Sequence, residues 1–225
     1  MKTIAAVTFV RNAEKYILPH LAMYTGVKQY VFRMTGKPKD WIQYADEPDS
    51  SIELVRRHFP EVPIIDISST EYDSEFINRA RAMIEEDVMV FFHADVILSQ
   101  RDWETIKDII QTTDASVYKL DMTTDMINYY YDFDHGLRNC RDHDPVALSK
   151  ARFTHKYWSD VEPNSEHLIQ NKITAHHFCG WKGGTNSKEW IDGIIADENG
   201  DTSIKWREQY GEWIPCPQEI REMFI

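Results

Sequence analysis

The first half of the chain switches repeatedly between two hydrophobic periods, and no other feature limits its fold so strongly. Ile4–Val10 is apolar and β-branched, as a strand is. Ala13–Tyr24 carries Tyr16, Ile17, His20, Leu21 and Tyr24 at helical spacing, and Gly26 supplies a helix stop. "KQYVFRM" predicts a second strand and "TGKPKD" a loop. Ser50–His58 predicts a short helix with Ser50 or Ser51 as cap and Glu53 in its first turn, and "VPIIDI" a third strand. Glu71–Glu86 places Phe76, Ile77, Ala80 and Ile84 on one helical face. "VMVFFHADVIL" predicts a fourth strand, Trp103–Gln111 a helix capped by Ser99 or Asp102, and "ASVYKLDM" a fifth strand. Strand and helix alternate four times in about 120 residues. This implies βαβ units: an α/β fold with a mixed, mainly parallel sheet flanked by helices. Such sheets bind ligands at the carboxyl ends of their strands. The residues to watch are therefore Arg11, Asn12, Arg33, Asp66, His93 and Asp95.

The second half has no clean period. "INYYYDFDHGLRNCRDHDP" is dense in aromatic and ionisable groups. Ser165–Asn171 predicts a short helix, and "ITAHHFCGWKGG", a helix-like "SKEWIDGIIAD" and an aromatic tail follow. No repeat, low-complexity tract or linker divides the chain. We read one domain, 1–225, whose second half, 123–225, supplies loops over the sheet edge formed by 1–122 and a C-terminal extension.

Composition removes several function classes. A net charge of −12 disfavours non-specific nucleic-acid binding, which needs clustered Lys and Arg. Cys140, Cys179 and Cys216 are widely spaced and odd in number, against a disulfide framework or a zinc ribbon. No stretch approaches the ~20 apolar residues of a membrane span. The apolar start breaks at Arg11 and Asn12 with no small-residue cleavage site, which points to the cytoplasm. No P-loop, GxSxG elbow or HExxH is present, against NTPase, hydrolase and zincin chemistry.

Three clusters carry the chemistry. In an extended strand His93 and Asp95 share a face and can hold a divalent metal together; the alternative is an ion-paired or capping pair at a strand end. His176 and His177 would point to opposite sides of an extended segment, so one of them at most joins Asp95; a structural zinc lacks further ligands nearby. Asp144, Asp160, Glu162 and Glu166 are candidate bases. Glu166 follows Ser165 in "EPNSEHLIQN", where the helix dipole alone favours a glutamate. The bland alternatives are caps for Arg11, Asn12 and Asp66, a solvated face paired with Glu75 or Glu85 for Arg79 and Arg81, and core packing for most of the aromatics.

With "VTFVRNAEKYILPHLAMYTGVKQYVF" at the start, "INRARAM" before the fourth strand, "HAD" closing it and "HHFCGWKGG" downstream, the chain resembles the family 2-like glycosyltransferases of the GT-A fold over roughly residues 3–182. "HAD" stands where that family has DxD, a histidine replacing the first aspartate. The resemblance implies that Asp95 binds the metal bridging the diphosphate of a nucleotide-sugar, and that His93 contacts ribose or metal. It implies that His177, or else His176, closes the metal site. It further places Arg11 and Asn12 near the nucleotide, Asp66 against the base, Asn78 and Arg79 near the diphosphate, and an acidic base at the start of a second-half helix, which favours Glu166. The same resemblance implies nucleotide-sugar binding for the first half, 1–122, and acceptor binding for the second, 123–225. A histidine ligand favours Mn²⁺ over Mg²⁺.

The expected function is thus a metal-dependent glycosyltransferase, using Mn²⁺ or Mg²⁺ and a UDP- or GDP-sugar, acting on a hydroxyl of a glycan, a small molecule or a modified nucleobase. The competing readings are a nucleotidyltransferase, a non-catalytic nucleotide- or sugar-binding module of the same fold, and a phage-type transferase glycosylating modified DNA bases, against which the charge counts.

Overall fold

In the computed structural model the described residues are 1–10, 13–35, 50–68, 73–121, 124–129, 136–137, 143–149, 151–153, 161–162, 165–170, 172–178 and 214–224. The first half runs β1 (Ile4–Val10), α1 (Ile17–Met23), β2 (Lys28–Met34), α2 (Ser51–His58), β3 (Ile64–Ile67), α3 (Asp73–Met83), β4 (Val88–His93), β5 (Val96–Leu98), α4 (Gln100–Thr112) and β6 (Val117–Asp121). The second half adds β7 (Met126–Tyr129), β8 (Gly136–Leu137), β9 (His143–Leu148), β10 (Arg152–Phe153), β11 (Val161–Glu162), β12 (Glu166–Ile169), β13 (Ala175–His177) and a short C-terminal helix, α5 (Gln218–Glu222).

The large sheet has seven strands in the order β12-β6-β9-β4-β1-β2-β3. Every neighbouring pair is parallel except those made by β9, which runs against β4 and β6. This is the mainly parallel, helix-flanked sheet that the alternating periods predict. Its strands are apolar on both faces because both faces are covered. On one side Trp103, Ile106 and Ile110 of α4 pack with Ala6, Val90 and Phe92. On the other, Phe76, Ile77 and Ala80 of α3 pack with Val7, Phe32 and Phe91. The second half does more than overlie the edge, since β9 is inserted between β4 and β6 and β12 closes one side.

Local chemistry explains where the helices begin. A helix from Ala13 would put Pro19 in its interior, against the carbonyl of Lys15; starting at Ile17 leaves Pro19 in the first turn, where its missing N–H costs little. After α1, Gly26 adopts φ +73°, the left-handed turn that glycine makes without strain. α4 begins at Gln100, three residues before the expected Trp103, because Ser99 accepts the N–H of Asp102 at 3.1 Å and donates to the Asp102 carboxylate at 2.7 Å.

Two sequence expectations fail. "VMVFFHADVIL" is two strands, with Ala94 and Asp95 as the turn between them. β4 belongs to the large sheet, and β5 to a second sheet ordered β5-β13-β7-β8. His93 and Asp95 therefore do not share a strand face: His93 is exposed and Asp95 buried. The segment expected as a helix over Ser165–Asn171 is the edge strand β12, whose Glu166, His167, Leu168 and Ile169 lie opposite Val117, Tyr118, Lys119 and Leu120 of β6. Pairing with β6 satisfies its backbone and buries Ile169, which outweighs the local capping signal.

Candidate active site at the end of β4

β4 carries buried residues from Val88 to Phe92 up to the carboxyl edge of the sheet. There the chain turns, and Asp95 is only 2% exposed. Its backbone carbonyl accepts the N–H of Phe178 at 2.9 Å, which ties the turn to the end of β13. β13 lies antiparallel to β5, with His177 opposite Val96, and parallel to β7, with His177 opposite Asn128. One register thus brings together three side chains from distant parts of the sequence. His177 Nε2 is 3.4 Å from Asp95 Oδ2, and His177 Nδ1 is 2.8 Å from Asn128 Oδ1. His176 faces the other way and is buried, with Nδ1 3.1 Å from the Tyr129 hydroxyl and its ring stacked on that of Tyr129.

The hydrogen bond to Asn128 sets the chemistry of the pair. An amide oxygen only accepts, so His177 Nδ1 carries the proton. In the neutral imidazole, Nε2 then presents a lone pair to the Asp95 carboxylate. Asp95 Oδ2 and His177 Nε2 face each other at 3.4 Å, a spacing at which both can reach one cation. Two ligands on adjacent corners of one octahedral ion, each ~2.1 Å from it, stand about 3 Å apart, so the pair fits a divalent cation. Among the described residues no cluster of three or more His, Cys, Asp or Glu forms a ligand set. Mg²⁺ and Mn²⁺ usually keep waters and take phosphate oxygens beside one or two protein ligands. Nδ1 held by an amide is the outer-shell support that metal-binding histidines ordinarily have.

At the same edge, Asp66 near the end of β3 and Arg33 on β2 stand opposite each other and form a two-pronged ion pair at 2.7 and 2.6 Å. The guanidinium holds the Asp66 carboxyl below its usual range, and the carboxylate raises Arg33. Both are exposed. Three strand spacings of ~4.8 Å separate β3 from β4, so Asp66 lies about 14 Å across the edge from the Asp95 turn. Between them, Ala13 donates its N–H to the buried Ser51 Oγ at 2.8 Å, fixing the chain just after the β1 loop. Arg11 and Asn12 themselves, and Asp160, lie outside the described residues.

The other sequence candidates make contacts of their own. Asn78 donates to the Phe153 carbonyl and accepts the Phe153 N–H, both at 2.8 Å, so its amide clamps β10 onto α3. Arg79 bonds the Ser68 carbonyl and Glu75, the helical pairing that the spacing allows. Arg81, expected on a solvated face, is buried and donates to the carbonyls of Ser149, Ile84 and Glu86. Glu162 is exposed on β11, 3.7 Å from Arg152. Asn78, Arg79 and Glu162 line one groove of about 810 Å³ between α3 and the β10–β11 hairpin, whose lining includes neither Asp95 nor His177. Glu166 begins β12 and pairs with Lys119 at 2.6 Å. Its register runs through Val117 and Leu148 to Met89, the second residue of β4, so it lies at the amino end of the sheet. Asp144, on β9 opposite Leu120, is at the carboxyl edge instead. Asn128 escaped the sequence reading altogether; it lies in the aromatic tract without a period, and only the β7–β13 register reveals it.

No protein-family model matches the sequence, and no curated protein does. Solved structures do resemble the fold. S. aureus TarS aligns over 90% of this chain and 41% of that one, with 13% identity and a TM-score of 0.52. TarS 1–349 aligns over 90% and 68%, with 12% identity and a TM-score of 0.50. The chain thus spans about two fifths of the length of the first of these. No helix among the described residues is long and apolar enough to cross a membrane. The architecture is the GT-A-like α/β fold: a mainly parallel seven-stranded sheet flanked by helices, with a smaller sheet beside the end of β4.

Proposed function

We propose that the protein is a metal-dependent glycosyltransferase that takes a sugar from a nucleoside-diphosphate donor to an acceptor hydroxyl. The observation that carries this reading is the Asp95–His177 pair, two acceptors 3.4 Å apart at the carboxyl end of β4 with His177 Nδ1 tied to Asn128. The GT-A-like fold supports it, because a sheet of this type receives ligands at that edge. Asp95 and His177 would hold Mn²⁺ or Mg²⁺, which when bound neutralises negative charge on the diphosphate.

The remaining roles follow from position. His93, exposed and two residues from Asp95, would meet the ribose or the metal. The exposed Arg33–Asp66 pair would meet the base, and Arg11 and Asn12, which lie outside the described residues, keep the nucleotide role that the resemblance implies. In the reaction the bond from the anomeric carbon to the diphosphate breaks, the acceptor oxygen bonds that carbon, and the acceptor proton passes to a carboxylate. Asp144 and Asp160 are the bases we retain, since Glu166 stands at the far end of the sheet and Glu162 lines the α3 groove.

Thermal shift and hydrolysis assays with UDP- and GDP-sugars test this reading. We expect one donor to stabilise the protein only with Mn²⁺ or Mg²⁺ and to be hydrolysed slowly. Metal-dependent binding without turnover would make the chain a nucleotide-sugar-binding module. No response to any donor with either metal contradicts both.

A further inference from the structure

His20 lies on α1 and is fully buried. Its Nδ1 is 2.8 Å from the carbonyl oxygen of Val96. A carbonyl only accepts, so Nδ1 is the donor. Val96 directly follows Asp95 and stands opposite His177 in the β5–β13 register. The bond therefore reaches the backbone at a residue that follows one member of the pair in the chain and stands opposite the other.

Two further contacts make α1 a brace for this segment. Leu98 donates its N–H to the thioether of Met23 at 3.2 Å, so His20 and Met23 hold β5 at both ends. Across the turn, Phe178 donates to the Asp95 carbonyl at 2.9 Å. Two successive carbonyls, of Asp95 and Val96, are thus fixed from opposite sides. The His20 ring is fixed in turn: it meets Tyr24 edge-on at 5.1 Å, and Tyr24 meets Trp103 edge-on at 5.1 Å. α1 thus ties the core to a turn that lies beyond the end of β4, where β5 is at the edge of the small sheet.

We propose that His20 is a positioning residue for the Asp95–His177 pair, setting the turn so that the two side chains meet at the spacing a divalent cation needs. This rests on the metal-dependent reading above. Metal sites lose affinity steeply when their supporting contacts go, by roughly 10–100-fold.

The test is Mn²⁺ binding followed by electron paramagnetic resonance, alone and with saturating UDP or GDP, alongside thermal melting. His20→Leu keeps the volume and removes the donor; His20→Asn keeps a donor at the Nδ1 position. We expect His20→Leu to bind Mn²⁺ about tenfold more weakly than wild type, and His20→Asn to stay within about threefold. A folded His20→Leu protein with wild-type Mn²⁺ affinity overturns the proposal, whatever its melting temperature. If His20→Leu does not fold, His20→Gln replaces it: its donor extends past the Nδ1 position, so it should bind Mn²⁺ several-fold more weakly than His20→Asn, and equal affinities overturn the proposal. Wild type that binds no Mn²⁺ under any of these conditions overturns the metal reading itself, a result distinct from equal affinities.

Discussion

Asp95 and Glu166 stand at opposite ends of the same sheet, and in the sequence they look alike: each is an acidic residue beside an apolar run. In the fold they differ in every respect that matters for chemistry. Asp95 is buried in a turn beyond the last residue of β4 and faces His177. Glu166 opens an edge strand, exposes its carboxylate to water and meets Lys119 there. Burial makes the first carboxylate depend on the groups that face it, because a charge out of water is costly unless it is paired. Solvent leaves the second as an ordinary surface ion pair, worth ~0–1 kcal/mol. A carboxylate becomes a functional candidate through the end of the sheet it occupies and the group that faces it.

This contrast can be broken by experiment. The largest effect belongs to Asp95: Asp95→Ala should lower donor turnover by about 10²–10³-fold, because it removes a ligand of the metal that would neutralise charge on the diphosphate. Next comes the support of the pair. Asn128→Leu removes the acceptor that fixes His177 Nδ1, so Mn²⁺ should bind roughly tenfold more weakly in a titration, with His177→Ala at least as weak. At the other end, Glu166→Gln should leave turnover within about twofold and stability within ~0.5 kcal/mol by denaturant unfolding. A large loss of turnover in Glu166→Gln would erase the distinction between the two ends.

The smallest effect is on pH dependence. Arg33 holds the Asp66 carboxyl below its usual range, so the ion pair adds stability above the unfolded carboxylate value of about 4 and loses it as the pH falls through the lowered folded value. Melting curves of wild type and Asp66→Asn should differ slightly at neutral pH, converge in acid and draw together in high salt, because both groups are exposed.

Much of this was legible in the amino-acid sequence, and the reason lies in periodicity. β1 to β4 and α1 to α4 announce themselves because each helix has one apolar stripe and each strand an apolar run. "VMVFFHADVIL" misleads for the same reason. β4 and β5 are both apolar and both buried, so nothing in the hydrophobic pattern marks the point where the chain leaves one sheet for another. Ser165 and Glu166 mimic a helix start, but a strand that pairs with β6 is decided by β6, which lies 49 residues earlier. Asp95 and His177 could be named from their residue types and the family resemblance. Asn128 and His20 could not, since each acts through a partner that only the β7–β13 register or the packing of α1 supplies.

The central claim is that the buried Asp95–His177 end of the sheet, and not the exposed Glu166 end, holds the metal and the donor. Calorimetric titration of UDP- and GDP-sugars into wild type, Asp95→Ala and Glu166→Gln, with and without Mn²⁺, tests it most directly. We predict Mn²⁺-dependent binding of one donor by wild type and by Glu166→Gln, and none by folded Asp95→Ala. Donor binding that persists unchanged in Asp95→Ala, or that ignores Mn²⁺ in wild type, contradicts it.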